Sequence, residues 1–261
     1  MSRWLHVSIL AIFSLSLTGC PLFNKEDKEI KPGEGSLVQF VGVDVSGSFV
    51  KSKHYRDSLK FLANYLYSHL HGLGGMRVQH SLFVGTIGGA KKDQPKTFYP
   101  IQTFMYKNVP EIEKQLLEIF PPNKIDPHTD FNAFFEQIAL YMRNKKLVMK
   151  PTDIILLTDG FPDSPRVNGK HDYRSIKFDE LENLTRNITV RVLYTSAETG
   201  HSWQTEIPRK RVRVWTQDAK VMSGWNNTDI FLQGKAIEEQ ERFFKWVQDN
   251  VNFPVRVKRV R

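Results

Sequence analysis

Leu37-Val38-Gln39-Phe40-Val41-Gly42-Val43-Asp44-Val45-Ser46-Gly47-Ser48 is the stretch around which the rest of the chain organises itself. Its first nine residues are mostly apolar and rich in β-branched side chains, the composition of a strand covered on both faces. Such a strand belongs at the centre of a sheet. Downstream, Tyr55, Leu59, Leu62, Ala63, Leu66, Tyr67 and Leu70 recur at three- and four-residue spacing, which predicts an amphipathic helix. A second strand is expected over residues 77–87. The segment 97–106 follows a loop, 88–96, too short for a parallel crossover, so it is expected to pair antiparallel at a sheet edge. A helix over residues 111–120 ends at Pro121-Pro122. Phe131, Phe134, Phe135, Ile138, Ala139 and Met142 then form one apolar stripe on another helix. Residues 153–157 and 188–194 complete the set as buried strands.

Strands alternating with helices imply an α/β fold: a doubly wound, mostly parallel sheet with one antiparallel edge strand and helices on both faces. Ligands of such sheets bind beyond the carboxyl ends of the strands, near the point where the winding reverses. Chemistry is therefore expected just after Val43 and Leu157. The chain has 261 residues, 40% hydrophobic and 25% charged, which excludes collagen-like, low-complexity and multi-span membrane proteins. Residues 37–261 are long enough for one large domain and short for two with separate cores.

Asp44-Val45-Ser46-Gly47-Ser48 stands at the first of those places, Thr158-Asp159-Gly160 ends a buried strand at the second, and Thr129-Asp130 opens the helix between them. In these three elements, in this order, the chain resembles the von Willebrand factor A family, whose metal-ion-dependent adhesion site begins with Asp-x-Ser-x-Ser. The resemblance covers residue 37 to about Tyr194. It implies one magnesium or manganese ion, with Ser46, Ser48 and Thr129 binding through their hydroxyls. Asp44 and Asp159 would act mainly through waters or as acceptors that hold those groups in place. The residue types suit the ion, because magnesium takes six oxygen ligands near octahedral geometry and keeps several waters. Gly47 and Gly160 are expected to allow tight turns. With a single cysteine and no His-Glu-x-x-His, a soft-metal or zincin site is not expected.

Other readings of the same residues exist. Asp44, Ser46 and Ser48 would also suit a turn with a helix cap, Thr129 or Asp130 an N-cap, and Asp159-Gly160 a turn. A serine hydrolase using Ser46 with His128 and an acid is a further alternative, although no Gly-x-Ser-x-Gly surrounds Ser46. The resemblance favours a non-enzymatic adhesion or assembly module, in which the cation's open position takes an Asp or Glu carboxylate of a protein partner. After residue 195 the pattern diverges. Residues 195–208 are barely long enough for a crossover, so the strand at 211–216 is expected to sit differently; 218–229 reads as loop and 235–250 as the last helix. For Trp215 and Trp225, burial is expected ahead of binding.

Residues 1–19 form an export segment: one Arg at position 3, an uncharged run over residues 7–17, then Leu17-Thr18-Gly19-Cys20. The last four residues resemble a bacterial lipobox, which implies cleavage before Cys20 and acylation of its thiol. Residues 22–36 are charged with little to bury and read as a tether, spanning 20–36 with the anchor. The expected location is the cell envelope, lipid-anchored, and the outer membrane facing the periplasm if the cell has one. The net charge of +9 becomes +8 without Arg3. It concentrates late, in Arg209, Lys210, Arg211 and Arg213 and in Arg256, Lys258, Arg259 and Arg261. These suit strands with one wet face or a charge-guarded edge. A basic surface for anionic lipid, an acidic protein or wall polymer is the alternative, the last giving a structural lipoprotein. No nucleic-acid motif occurs, and nucleic acid is not expected as a partner. The lipobox generates the first test: Cys20→Ser should yield an unprocessed or soluble product that takes up no acyl label in membrane fractionation, and a variant labelled and partitioned like the parent would refute the anchor.

Overall fold

In the computed structural model, which describes residues 37–88 and 96–253, six strands form one sheet in the order β3-β2-β1-β4-β5-β6. β1 (Val38–Val43) is followed by a short helix, α1 (Gly47–Val50), and by α2 (His54–His71), which ends on Gly72 at φ +63°. β2 (Leu82–Thr86) pairs parallel with β1, and β3 (Tyr99–Pro100) pairs antiparallel with β2 at the edge. α3 (Val109–Ile119) starts with a capping box between Asn108 and Glu111, and α4 (Phe131–Asn144) starts on the Asp130 side chain. β4 (Thr152–Leu157), α5 (Asp179–Glu182) and β5 (Ile188–Thr195) follow. The chain continues through α6 (Ala197–Thr205), β6 (Arg213–Asp218), α7 (Ala219–Met222) and α8 (Glu241–Asn250). The sheet is the expected doubly wound one, parallel except at β3.

The two-residue period of the strands sorts the core into two layers. On β1, Val41 and Val43 face one cluster and Val38 and Phe40 the other; on β4, Ile155 and Leu157 go with the first pair and Ile154 and Leu156 with the second. The first layer packs under α2, α3 and α8, through residues such as Leu62, Leu116 and Phe243. The second packs under α4, α5 and α6, through Phe134, Leu181 and Trp203. β1 is buried from Val38 to Val43, as its composition predicted.

Several boundaries depart from expectation for local reasons. The strand expected over 77–87 is only Leu82–Thr86, because β1 begins at Val38 and offers no partner further back. The edge strand expected over 97–106 stops at Pro100, which has no N–H to donate, and a 3₁₀ turn over Ile101–Phe104 takes over. Residues 218–229 are not loop throughout, since α7 and the 3₁₀ turn Ser223–Asn226 occupy two thirds of them. The last helix starts at Glu241, because the buried Gln240 side chain is spent on Leu232 and Lys235 of the preceding turn. The largest correction concerns β6. Residues 195–208 do hold a crossover helix, α6, capped by Ser196, and β6 lies parallel beside β5. It begins at Arg213 because the N–H groups of Lys210, Arg211 and Val212 all donate to one Glu182 carboxylate oxygen. β6 is an edge strand that opens with an Arg, as the charge-guarded reading required. Trp225 is fully buried, whereas Trp215 is only partly so. The segments around Cys20 and from Arg256 onward lie outside the described residues.

β1 and α4 approach each other closely at Gly42. A Cβ there would stand 2.7 Å from Phe134 Cζ and 2.8 Å from Ile87 Cγ1, both atoms of buried side chains with little room to yield. Gly42→Ala should therefore destabilise the domain by about 1–3 kcal/mol, seen as a lower urea midpoint at unchanged slope; an unaltered midpoint would mean that α4 does not press on β1.

Candidate metal centre

The winding of the chain reverses between β1 and β4, which lie side by side, and this leaves a crevice at their carboxyl ends. Asp44 leaves β1 there, its N–H still donating to Leu157 O of β4 at 3.0 Å. Its carboxylate is fully buried. Oδ1 accepts the Ser46 N–H at 2.8 Å, and Oδ2 accepts the Thr158 hydroxyl at 2.5 Å. Thr158 Oγ1 accepts in turn from the Gly160 N–H at 2.9 Å. Asp44 is thus an acceptor that holds the two loops together, and hydrogen bonds to a charged group of this kind contribute about 1.5–3 kcal/mol each. Thr158 is a site residue for which the resemblance implies no role; its signal in the sequence is a hydroxyl that ends an apolar strand immediately before Asp159.

Ser46 and Ser48 stand with their hydroxyl oxygens 3.3 Å apart. Ser46 is nearly buried and Ser48 exposed. Ser46 occupies the N-cap position of α1, yet its side chain makes no capping bond, so the helix does not consume the hydroxyl. The Ser48 hydroxyl faces the Asp159 carboxylate and favours its charged form, and that carboxylate accepts the Phe161 N–H at 3.3 Å. Hydrogen bonds link Asp44 to Ser46 and bring the Ser46 and Ser48 hydroxyls together, with Asp159 beside them. Thr129 is buried on the loop that reaches the site from α3, and no hydrogen bond engages its hydroxyl among the described residues. Its loop is tied to the site by Asp126, whose N–H donates to Val45 O at 3.0 Å, and by the Asp163 N–H, which donates to Thr129 O at 3.1 Å. Asp130 is the N-cap of α4, as the capping alternative had it.

The two glycines differ. Gly160 has φ +83°, and a Cβ there would come within 2.9 Å of Thr199 Cγ2 and of the Trp203 indole nitrogen, which donates to Gly160 O. Gly47 has no left-handed φ, and a Cβ would meet only Ile125 at 3.4 Å, so no tight turn requires glycine there.

The electrostatics of the site ask for a cation. Burial, and then the like charge of Asp159, push the Asp44 carboxyl up to about 6. Burial also raises Asp159. Neither carboxylate takes part in an ion pair among the described residues. Two neighbouring, desolvated carboxylates without a basic partner are unfavourable until something positive neutralises them. The donors within reach are hydroxyl and carboxylate oxygens, the hard set that suits magnesium or manganese. No group of three or more His, Cys, Asp or Glu side chains poised to hold a metal occurs among the described residues. The hydrolase arrangement does not form: His128 pairs with Asp163, and Ser46 Oγ faces Ser48. Beside Asp159 lies a cleft of about 780 Å³ lined by Lys53, His54, Phe161, Tyr194 and Lys220.

No protein-family model and no curated protein matches the chain. Among solved structures it is similar to the SpRpn10 VWA domain, at 10% identity and TM-score 0.42 over 83% of this chain and 96% of that one. It is also similar to the pilus adhesin SpaC from Lactobacillus rhamnosus GG, at 14% identity and TM-score 0.45, covering 74% of this chain and 29% of the adhesin. Proximal thread matrix protein 1 from the mussel byssus gives 14% identity and TM-score 0.42 over 72% of this chain and 46% of that one. The chain spans less than half the length of the adhesin and of the byssus protein, and at these likenesses function has to come from the site itself.

Proposed function

We propose that this chain is an envelope lipoprotein, anchored through Cys20, whose domain binds a protein partner by capturing an Asp or Glu carboxylate at a magnesium or manganese ion. Ser46, Ser48 and Thr129 would bind the ion through their hydroxyls, and Asp44 and Asp159 would hold those hydroxyls and the ion's waters. The observation that carries the reading is the juxtaposition of Asp44 and Asp159, desolvated and without an ion pair among the described residues, beside the Ser46 hydroxyl that no helix cap consumes. Lys53 and Lys220 line the adjoining cleft together with Asp159 and Asp218, so the cleft carries no excess of positive charge and the attraction for an acidic partner would come from the ion. The ion supplies charge neutralisation and an open coordination position; the chain's own residues orient it and exclude water from its protein side.

Two outcomes follow. Magnesium or manganese should raise the melting temperature of the soluble domain by a few degrees, the linkage expected of about 1–3 kcal/mol of binding to the folded state. Asp44→Ala and Ser48→Ala should abolish that rise, and an equal response in parent and both variants would remove the metal assignment. In a pulldown from envelope extract, the retained protein should be released by EDTA, restored by magnesium and lost with Thr129→Ala, a variant expected to remain folded. Retention of wall polymer that is indifferent to EDTA and to Thr129→Ala would instead favour the structural-lipoprotein alternative.

A further inference from the structure

The other end of the sheet carries polarity that a doubly covered parallel sheet does not need. Register aligns Gln39, Asp153, Thr189 and Arg213 across β1, β4, β5 and β6, with Arg191 and Trp215 paired in the row two residues along. The two-residue period turns the first row toward α2 and α8, the face that carries Val41 and Ile155. Gln39, Asp153 and Arg191 are at most 7% exposed. Arg191 Nε donates to both Asp153 oxygens at 3.0 and 3.1 Å, and its Nη2 donates to Phe253 O at 2.9 Å. Gln39 Nε2 donates to Tyr65 Oη, and Tyr65 donates to Asn252. A buried ion pair in such a place is weak as a source of stability, since apolar residues of similar volume would serve as well.

This row borders a cavity of about 710 Å³ at the amino ends of the strands, opposite the metal centre. Five buried side-chain atoms lack a hydrogen-bond partner among the described residues, and three of them belong to residues lining this cavity: Gln39 Oε1, His69 Nε2 and Arg191 Nη1. Each such atom is destabilising while it stays unpaired, because it gave up its bonds to water on burial. Their chemistry is complementary. Arg191 Nη1 can only donate and Gln39 Oε1 can only accept. His69 Nδ1 lies 3.0 Å from Arg77 O and so carries the proton, which leaves Nε2 an acceptor; burial lowers the ring's pKa to about 4 and keeps it neutral. A fully ionised anion such as sulfate offers acceptors alone and would leave Gln39 and His69 unsatisfied. A hydroxyl both donates and accepts. The volume falls within the roughly 300–1,000 Å³ of small-molecule sites and far exceeds that of a single bound water. The ring of Phe253, 5.1 Å from the Arg191 guanidinium, adds an apolar face. Gln248 and Asp249 line the same cavity, are exposed and make one side-chain hydrogen bond each, so they yield at little cost.

We propose that this cavity is a second binding site, independent of the metal, for a neutral polyhydroxylated ligand of mono- or disaccharide size, held by Gln39, His69 and Arg191. The test uses the full chain, with calorimetric titration of glucose, N-acetylglucosamine, its β-1,4 disaccharide and maltose at millimolar concentration, and sulfate as the anionic control. At least one saccharide should bind, equally in EDTA and in magnesium, and sulfate should not. Gln39→Met, similar in volume but without the acceptor, should weaken binding by about tenfold, the equivalent of one lost hydrogen bond. Gln248→Trp, at an exposed position, should narrow the cavity and abolish binding at an unchanged melting temperature, which separates loss of the site from loss of the fold. The proposal is overturned if no saccharide binds, if sulfate alone binds, if binding survives both substitutions, or if a high-resolution structure grown in the saccharides shows only ordered water on the three atoms.

Discussion

The parallel pairing of β1 with β4 is the constraint on which the candidate metal centre depends. Register sets Val43 against Leu157, so the residues that leave the two strands, Asp44 on one side and Thr158-Asp159 on the other, emerge side by side. The Asp44 N–H continues the ladder to Leu157 O, and its carboxylate then holds the neighbouring loop through Thr158. A slip of one residue would turn the apolar sets of both strands to the wrong faces, so the two core layers protect the register that the site needs. Burial of the core and geometry of the site are one requirement.

The two ends of the sheet use polarity differently. At the carboxyl end, acidic and hydroxyl groups gather where the strands diverge, and the unfavourable term is uncompensated negative charge. At the amino end, charge is compensated within the protein by Arg191 and Asp153, and what remains is a mixture of unpaired donors and acceptors. A cation would answer the first imbalance, and a neutral group with hydroxyls the second. Between the two ends the strands are almost wholly apolar, which keeps the two polar groups of residues apart in space.

The α/β class, the central strand, the order of strands and helices as far as β5 and the grouping of residues after Val43 and Leu157 were legible in the sequence, because apolar periodicity reports directly which faces must be covered. The course beyond Thr195 was not. Nothing local says that Glu182 will hold the N–H groups of three residues about thirty positions later, so the start of β6 and its parallel pairing were invisible until the chain folded. The same holds for Pro100, whose missing N–H mattered only once β2 proved to be its neighbour.

The polar row at the amino end shows the division between the two kinds of information. Gln39, Asp153 and Arg191 are each a visible interruption of an apolar strand, and each alone suggests no more than an awkward residue. Strand register, a property of non-local pairing, brings them together and leaves three of the surrounding polar atoms without partners among the described residues. What the sequence determined by itself was the set of elements and the chemical types at their ends, since these follow from side-chain periodicity and composition. What only the tertiary structure decided was which of those groups are neighbours and which hydrogen bonds stay unmade, because both depend on contacts between residues far apart in the chain, such as Asp44 with Thr158 and Arg191 with Asp153.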